Sequence, residues 1–570
     1  MSADTDLPSW ADELRQRYVS GEASLFLLHG NVRDAHPWID AQGKTQYLTI
    51  RKFLEGFLGR TRDVTVYYNV SQGLCFPDAA NRAAFQRTLD AQRLLERREA
   101  LTVLPTQPSG AIPLLEELIT NPAQASGVIL DFFEMIAAAG DVSFMGADER
   151  AALVSMQRWA TDPAFLGTDN IVILIAEHLS EVARQVVASP QLVTIHVPFP
   201  SEAERARLVQ EQDLARVHME LTPAAFAQTT AGLTLIQLRS LFRASEQGGE
   251  AITFRSVAAR KKALIERECH GLVEFVAPDH NFSHVGGMEG VKADLLRVAQ
   301  AVREGRRSAV PMGMIFVGPM GTGKTFVAEA FAGESGLTCL KFKNFREKWV
   351  GSTEGNLEKI LDLVEALGFV LLILDEADRS LSAGGENDGG TSSRVIARLK
   401  EFMSDTSHRG RVVILMMTNR PDKLDTDLKR PGRFDLKIPF FFPEAPEERE
   451  RILAAVARRN RFTFDDGVVW DTVVEETEGH SAAELEAVVL AASNLASERG
   501  ASAIGQDDMN QAARDFIPSR DTRMLEFMEM LAVFECSAKR MLPDRFRDLT
   551  TDDVHLRLDA LRVHLGRRAL

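Results

Sequence analysis

Short, unbroken apolar runs recur along this chain, and each one closes on polar residues. Runs of this kind occupy residues 128–130, 171–174, 314–317, 369–374 and 412–417. An apolar run of this length, bounded by polar residues, is typical of a strand that is buried on both faces of a parallel sheet. The pattern therefore predicts an α/β fold in which helices flank parallel sheets.

The two halves of the chain repeat the same order of runs and turns. Residues 128–131, 171–174, 195–200 and 232–234 in the first half match 372–375, 412–415, 438–443 and 479–481 in the second. The match predicts two copies of one architecture, and the alternative is two unrelated α/β domains with similar strands. In the first copy, Phe132 and His178 stand where the second has Glu376 and Asn419.

A glycine-rich loop follows the run at 314–317. Its residues are Gly318, Pro319, Met320, Gly321, Thr322, Gly323, Lys324 and Thr325, which fit the phosphate-loop pattern G-x-x-x-x-G-K-[ST]. Glycines let successive backbone N–H groups point at phosphate oxygens, and a helix beginning near Lys324 adds its positive dipole end. We expect Lys324 to reach the β- and γ-phosphates of a nucleotide and the Thr325 hydroxyl to hold Mg²⁺. The first copy has no such loop after its first strand.

Polar residues end the next two runs of the second half. Asp375 and Glu376 close the run at 369–374, where one carboxylate can reach Mg²⁺ and its neighbour can polarise water. Asn419 follows the run at 412–417, and ligands in open α/β sheets lie at the carboxyl ends of strands. Asn419 can therefore bind the same water or the γ-phosphate. The alternative is a core strand followed by solvated acids.

These motifs together resemble the classical AAA branch of the AAA+ ATPases. The resemblance rests on residues 285–287, the phosphate loop, 375–378, 418–422 and 428–435, and it runs from about Phe282 to Phe516. It implies a P-loop NTPase sheet with a helical lid, preceded by a degenerate copy, with ATP and Mg²⁺ as cofactors. It also implies nucleotide contacts at Gly286, Phe326 and Ala482. Val456 departs from the family, where many relatives carry a nucleotide-contacting His.

Two arginines in the family motif imply a ring. Arg430 and Arg433 match arginines that act on the nucleotide of a neighbouring subunit and stabilise charge on the transferred phosphoryl group. Head-to-tail contacts that close generate rings, so we expect a homo-oligomer, and the family pattern makes it a hexamer. The alternative is a pair of surface arginines that bond local carboxylates.

An aromatic residue in a polar neighbourhood is a candidate for gripping a client. Trp349, Val350 and Gly351 match the family loop that lines the central pore of the ring and contacts an extended polypeptide. A large exposed aromatic side chain is costly unless it contacts something. The alternative is that Trp349 packs in the core. Residues 382–393, rich in glycine and small polar side chains, match the second pore loop or form a disordered insert.

Composition and charge describe an ordinary globular protein. The 570 residues carry a net charge of −15, which argues against general nucleic-acid binding, although 255–267 is basic. The four cysteines are isolated, so buried thiols in a reducing compartment are expected rather than disulfides or a metal site. The polar N-terminus and the lack of an apolar run of about 20 residues predict a cytoplasmic protein without a membrane span. No H-E-x-x-H occurs, which excludes a zinc-protease site.

The predicted organisation has five parts. These are a degenerate AAA-like module at 1–270, a linker at 271–281, the active large α/β domain at 282–443, a helical lid at 444–520 and C-terminal helices at 521–570. The expected function is Mg-ATP-dependent remodelling, unfolding or disassembly of a protein client through pore loops. The alternatives are an ATP-dependent assembly scaffold or switch that does not thread its partner, and a nucleic-acid motor or loader.

Overall fold

The computed structural model describes most of the chain, and the chain folds as two compact units. It describes residues 7–40, 42–95, 103–140, 145–211, 217–249, 251–269, 273–342, 353–380, 391–465, 468–518 and 521–566. The first unit is Met1–Lys261 with Glu354–Ala366, and the second is Lys262–Thr353 with Leu367–Leu570. The five-part organisation set out above stays a prediction.

The described strands form two sheets of six strands and a separate hairpin. The first unit contains β1 (Leu25–Gly30), β2 (Ala35–Ile39), β3 (Thr45–Thr49), β4 (Val64–Asn69), β5 (Gly73–Cys75), β6 (Ser126–Leu130), β7 (Ile171–Ile175) and β8 (Leu192–Val197). The second unit contains β9 (Val273–Val276), β10 (Gly313–Val317), β11 (Thr338–Phe342), β12 (Val370–Leu374), β13 (Val412–Thr418) and β14 (Leu436–Pro439).

Helices account for most of the remaining described chain. The first eleven are α1 (Ser9–Val19), α2 (Ile50–Leu58), α3 (Ala79–Leu95), α4 (Pro108–Ile119), α5 (Ala147–Trp159), α6 (Pro163–Leu166), α7 (Arg184–Val187), α8 (Glu202–Gln210), α9 (Pro223–Thr229), α10 (Leu235–Gly248) and α11 (Phe254–Glu268). The next five are α12 (Glu289–Arg303), α13 (Lys324–Ser335), α14 (Thr353–Leu367), α15 (Ala377–Ser380) and α16 (Thr391–Ser404). The last seven are α17 (Pro446–Arg459), α18 (Asp471–Glu476), α19 (Ala482–Glu498), α20 (Gln506–Asp515), α21 (Thr522–Glu535), α22 (Asp544–Arg547) and α23 (Thr551–Leu565).

The sheet of the first unit runs β5-β4-β6-β7-β1-β8, and every pairing is parallel except that of β4 with β5. Successive residues of its strands are buried in different cores. Ile173 of β7 belongs to one apolar cluster, and its neighbours Val172 and Leu174 belong to another. Side chains alternate across a strand, so both faces of this sheet are covered, which explains the unbroken apolar runs.

The sheet of the second unit has the same strand order. It runs β9-β11-β12-β13-β10-β14, with only β9 antiparallel to its neighbour β11. β10, β11, β12, β13 and β14 therefore correspond to β1, β4, β6, β7 and β8. The antiparallel edge differs, because β5 follows β4 in the chain whereas β9 precedes the whole core. The predicted fold class, an α/β P-loop sheet preceded by a copy of the same architecture, is confirmed.

Two helical parts of the second unit have apolar cores of their own. Residues of α17 to α20 form one cluster, centred on fully buried side chains such as Leu453, Leu485 and Val488. Residues of α21 to α23 form another, against which Phe441 packs. The first part lies within residues 444–520, the range predicted to form the lid. Among the helices that the structure describes, none combines the length and apolar character needed to cross a membrane.

Candidate functional site

The glycine-rich loop joins β10 to α13, and its backbone requires glycine. Gly318, Gly321 and Gly323 have φ angles of 152°, 77° and 85°, a region that side chains with a Cβ atom rarely adopt. A Cβ atom on Gly318 would lie 2.1 Å from the carbonyl oxygen of Phe440. The loop therefore holds its shape through the absence of side chains, and the first turn of α13 presents N–H groups that have no partner within the helix.

The ammonium group of Lys324 lies at the centre of this loop. Its Nζ donates hydrogen bonds to the carbonyl oxygens of Gly318 at 2.8 Å and Pro319 at 2.6 Å, and to Oδ1 of Asn419 at 2.7 Å. The phosphate-loop lysine and the polar residue ending β13 thus meet, as the sequence predicts. Burial lowers the pKa of Lys324 to about 8, although the carboxylates of Asp375 and Asp378 counteract the effect.

Two acids follow β12 at the same edge of the sheet. Asp375 accepts a hydrogen bond from the backbone N–H of Glu376 at 2.9 Å and pairs with Nζ of Lys341 at 3.0 Å. Glu376 has a left-handed backbone with a φ of 47°, which turns the chain away from the strand. The Thr325 hydroxyl and the Asp375 carboxylate are hard oxygen donors on the wall of one cavity, and such donors suit Mg²⁺.

A cavity of about 640 Å³ lies between the sheet edge and the lid. Its lining includes, of the predicted nucleotide residues, Gly286, Met320, Gly321, Thr322, Gly323, Lys324, Thr325, Phe326, Asp375, Glu376, Asn419 and Ala482. Gly318 and Pro319 lie behind the lining and contact Lys324 through their carbonyl oxygens. The cavity is of the size that binds a small-molecule ligand, and the predicted residues converge on it.

The cavity lining also contains residues for which the sequence predicted no role in the site. They are Met288, Lys341, Phe342, Ile452, Ala455, Arg459 and Glu486, among others. Arg459 contacts Glu486 and stacks over the Phe326 ring, with its guanidinium carbon 5.0 Å from the ring centroid. The Phe326 ring also stacks on the His280 ring, with 4.1 Å between the ring centroids. These residues share no short motif, so only tertiary packing brings them together.

The two arginines of the family motif lie elsewhere. Of the residues that the structure describes, neither Arg430 nor Arg433 lines this cavity. Arg430 is largely exposed and pairs with Asp427, and Arg433 donates to the carbonyl oxygen of Asp427 at 2.9 Å. The predicted pore-loop residues Trp349, Val350 and Gly351 lie outside the described part of the chain. Of the second predicted pore loop, 391–393 open helix α16 and the rest is likewise outside the described residues.

The geometry defines a P-loop nucleotide-binding module. A phosphate loop leads from a central parallel strand into a helix, and two neighbouring strands end in the acids and the asparagine that face it. Comparison with known families specifies the class. Residues 314–442 match the model described as "ATPase family associated with various cellular activities (AAA)". Residues 2–198 match "AAA+ chaperone, N-terminal Rossmann-like domain", and residues 203–270 match "AAA+ chaperone, second helical domain". The chain is therefore an AAA+ protein with two chaperone-type N-terminal domains and an AAA ATPase module.

Individual relatives are similar over about half of the chain. "ATP-dependent zinc metalloprotease FtsH 1" of Salinibacter ruber is 31% identical over 276 residues, which are 47% of this chain and 36% of that protein. "ATP-dependent zinc metalloprotease FtsH 3" of Synechocystis sp. is 30% identical over 296 residues, 49% of this chain and 45% of that protein. "ATPase family protein 2 homolog" of Caenorhabditis elegans is 30% identical over 332 residues, 53% and 44%. The match covers less than half of each relative.

Proposed function

We propose that this chain hydrolyses ATP in the presence of Mg²⁺, assembles into a hexameric ring and uses the hydrolysis to remodel protein clients. The observation that carries the proposal is the convergence of Lys324, Asp375, Glu376 and Asn419 on one cavity closed by the lid. The three oxygens that accept hydrogen bonds from Lys324 are neutral, so the lysine is suited to an anionic ligand.

The residues of the cavity divide the work of phosphoryl transfer. Lys324 and the loop N–H groups bind the phosphates, while Thr325 and Asp375 hold the metal ion, which neutralises charge on the phosphate oxygens. Glu376 accepts a proton from the attacking water, and Asn419 orients that water or the γ-phosphate. Nζ of Lys341 lies 3.0 Å from Asp375, so a positive charge stands beside the carboxylate that holds the metal in this proposal.

The arginines complete the site of a neighbouring subunit in this proposal. Arg430 is exposed, with 72% of its side chain accessible, and Arg433 lies on the same segment, away from the cavity of its own chain. Guanidinium groups in that position are available to a phosphate on an adjoining copy. An arginine supplied in trans contributes about 10³- to 10⁵-fold to turnover in related chemistry.

The client is a protein, gripped by the loop that contains Trp349, Val350 and Gly351. This part rests on the family resemblance of the loop and on the chaperone-type description of the two N-terminal domains. An aromatic side chain followed by an aliphatic one provides a sequence-tolerant apolar contact with an extended chain.

Glu376→Gln tests the hydrolytic assignment. The variant keeps the shape of the side chain and loses its basicity, so Mg-ATP should bind with unchanged affinity while turnover falls by at least about 100-fold. Glu475→Gln, an exposed change on α18, is the matched control and should behave like the parent protein. Normal turnover in Glu376→Gln would remove Glu376 from the mechanism.

A nucleotide-controlled scaffold or switch is the second candidate, because one of the two units lacks a phosphate loop. Trp349→Ala separates the two functions. A threading machine should lose client processing and keep its ATPase activity, whereas a switch should keep both. Trapping clients on the Glu376→Gln protein and identifying them by mass spectrometry would name the partner.

A further inference from the structure

The first unit has a nucleotide-site geometry without a phosphate loop. The loop after β1 follows Gly30, and β1 has the same place in its sheet as β10, which precedes the phosphate loop. Asp131 follows β6 as Asp375 follows β12. The next residues, Phe132 and Glu376, both have a left-handed backbone, with φ angles of 52° and 47°. The backbone around the degenerate position therefore matches that of the intact site.

Arg33 lies beside Asp131, where the second unit has Lys324 and the predicted metal position beside Asp375. Its Nη1 donates to Oδ1 of Asp131 at 2.6 Å, and its Nε donates to Oε1 of Glu177 at 3.1 Å. The guanidinium also stacks on the Phe132 ring, 3.7 Å from its centroid. Glu177 lies just beyond the end of β7, so Arg33 joins the ends of two strands. In the second unit, Lys324 and the predicted metal position face the ends of the corresponding strands.

Asp34, the next residue, places a carboxylate at the N-terminus of helix α10. Its carboxylate accepts hydrogen bonds from the backbone N–H groups of Leu235 at 2.9 Å and Ile236 at 3.0 Å, which open helix α10. It also accepts from the N–H of Ala35 at 2.7 Å and from Nδ2 of Asn31 at 3.0 Å. The N-terminus of a helix attracts anions, and here the anion is part of the chain.

The second unit makes the corresponding contact without a charge. There the helix is α19, and the N–H of Ala483 donates to the carbonyl oxygen of Gly321 at 3.0 Å, beside the cavity. In the first unit Asp34 is only 2% exposed, and burial raises the pKa of its carboxyl group although four N–H donors counteract the effect. The carboxylate is thus held in place at a desolvation cost, which marks a specific structural role.

We propose that the first unit is a nucleotide site occupied by its own side chains, with Arg33 in place of the cations and Asp34 in place of the phosphates. Arg33 binds Asp131 and Glu177 at the ends of β6 and β7, and Asp34 binds the N-terminus of α10. The unit therefore takes up no nucleotide, and its core and helix α10 keep one fixed arrangement throughout the ATP cycle. This proposal does not depend on ring formation or on threading of a client.

Binding stoichiometry tests the first half of the proposal. Equilibrium dialysis of the intact chain with Mg-ATP should give one nucleotide per chain, and Lys324→Ala should reduce it to none. Two nucleotides per chain would overturn it. So would one nucleotide that still binds in Lys324→Ala and whose affinity changes when Asp34→Ala is added. If the parent protein binds no nucleotide, the ATPase proposal is contradicted, but the proposal for the first unit is not. The failures of the two proposals are therefore distinguishable.

Hydrogen exchange tests the second half. Asp34→Ala should raise the exchange rate of the amides that open α10 by about tenfold or more, because two N–H groups lose their acceptor. The amides that open α19 should keep their rates. Asp40→Ala is the matched control, since the Asp40 carboxylate accepts hydrogen bonds from Gln42, Lys44 and Gln46 of the β2–β3 hairpin, away from α10. Asp34→Asn retains part of the acceptor and should give an intermediate rate if the alanine variant folds poorly. Unchanged exchange at α10 in both variants would refute the role of Asp34.

Discussion

Lys429 and Glu535 form an ion pair that joins the arginine-bearing segment of the AAA module to the C-terminal helices. The Nζ of Lys429 lies 2.5 Å from Oε1 of Glu535, and Nζ of Lys437 on β14 lies 2.9 Å from Oε2. Glu535 is buried at the end of α21, and Lys429 immediately precedes Arg430. The C-terminal helices are therefore attached to the part of the chain that is proposed to act on a neighbouring subunit.

Glu535→Gln should weaken this attachment. Because one buried carboxylate serves two lysines, we expect the free energy of unfolding to fall by about 1–3 kcal/mol, measured by denaturant titration. ATPase turnover should fall as the arginine segment loses its support, with unchanged ATP affinity. Glu526→Gln, an exposed change on the same helix, serves as the control. Turnover equal to that of the parent protein would show that the ion pair has no influence on the arginines.

ATP affinity should depend on pH through Lys324. Burial lowers its pKa to about 8 in the protein without nucleotide, so the lysine loses its proton as the pH rises through that value. Phosphates require the protonated form, and the affinity for Mg-ATP should be constant near about pH 7 and fall by up to about tenfold per unit above about pH 8. Isothermal titration at a series of pH values measures this. Lys324→Arg stays protonated and should bind more weakly with a flat profile.

Arg433→Ala should lower turnover by about 10³-fold while ATP still binds. Mixing this variant with Glu376→Gln should restore part of the activity, because the second variant supplies the arginine to the intact acid of the first. Arg557→Ala, exposed on α23, is the control and should be neutral. If the mixture stays as inactive as its components, Arg433 does not act between subunits.

Gly318→Ala should disrupt the phosphate loop. The new Cβ atom would lie 2.1 Å from the Phe440 carbonyl oxygen, so the loop or β14 must move, at a cost above about 1 kcal/mol and with loss of ATP binding. Gly336→Ala provides the comparison, since Gly336 also has a positive φ of 73° but no heavy atom lies within 4 Å of its added Cβ. Thermal unfolding and ATP titration of both variants measure the difference. Equal behaviour would mean that backbone conformation alone matters at Gly318.

The sequence predicted the parts of the site that short motifs encode. The loop from Gly318 to Thr325, Asp375 with Glu376, and Asn419 each follow a recognisable strand, so their meeting at one sheet edge follows from the parallel topology. The pairing of Lys341 with Asp375 depends on the register of β11 against β12, in which Lys341 lies beside Ile373. Register of that kind is set by packing and has no local signal in the sequence.

The main features of the fold, but not the edges of its sheets, were likewise predictable from the sequence. Apolar runs predicted the buried parallel strands, and the repeat predicted two copies. The antiparallel edge strands β5 and β9, with 3 and 4 residues, are too short to be recognised from their residues. The roles of Arg33 and Asp34 could not be predicted from the sequence either. They depend on contacts with Asp131, Glu177 and Leu235, which are distant in the chain.

Phe132 keeps a left-handed backbone conformation that costs a residue with a side chain about 1–2 kcal/mol. The same turn in the second unit serves to aim Glu376 at the cavity. At Phe132 the contact that accompanies this turn is the stack of the ring on the Arg33 guanidinium. Both units therefore have the same backbone turn after the corresponding strand, and in the second unit the residue at that turn is an acid.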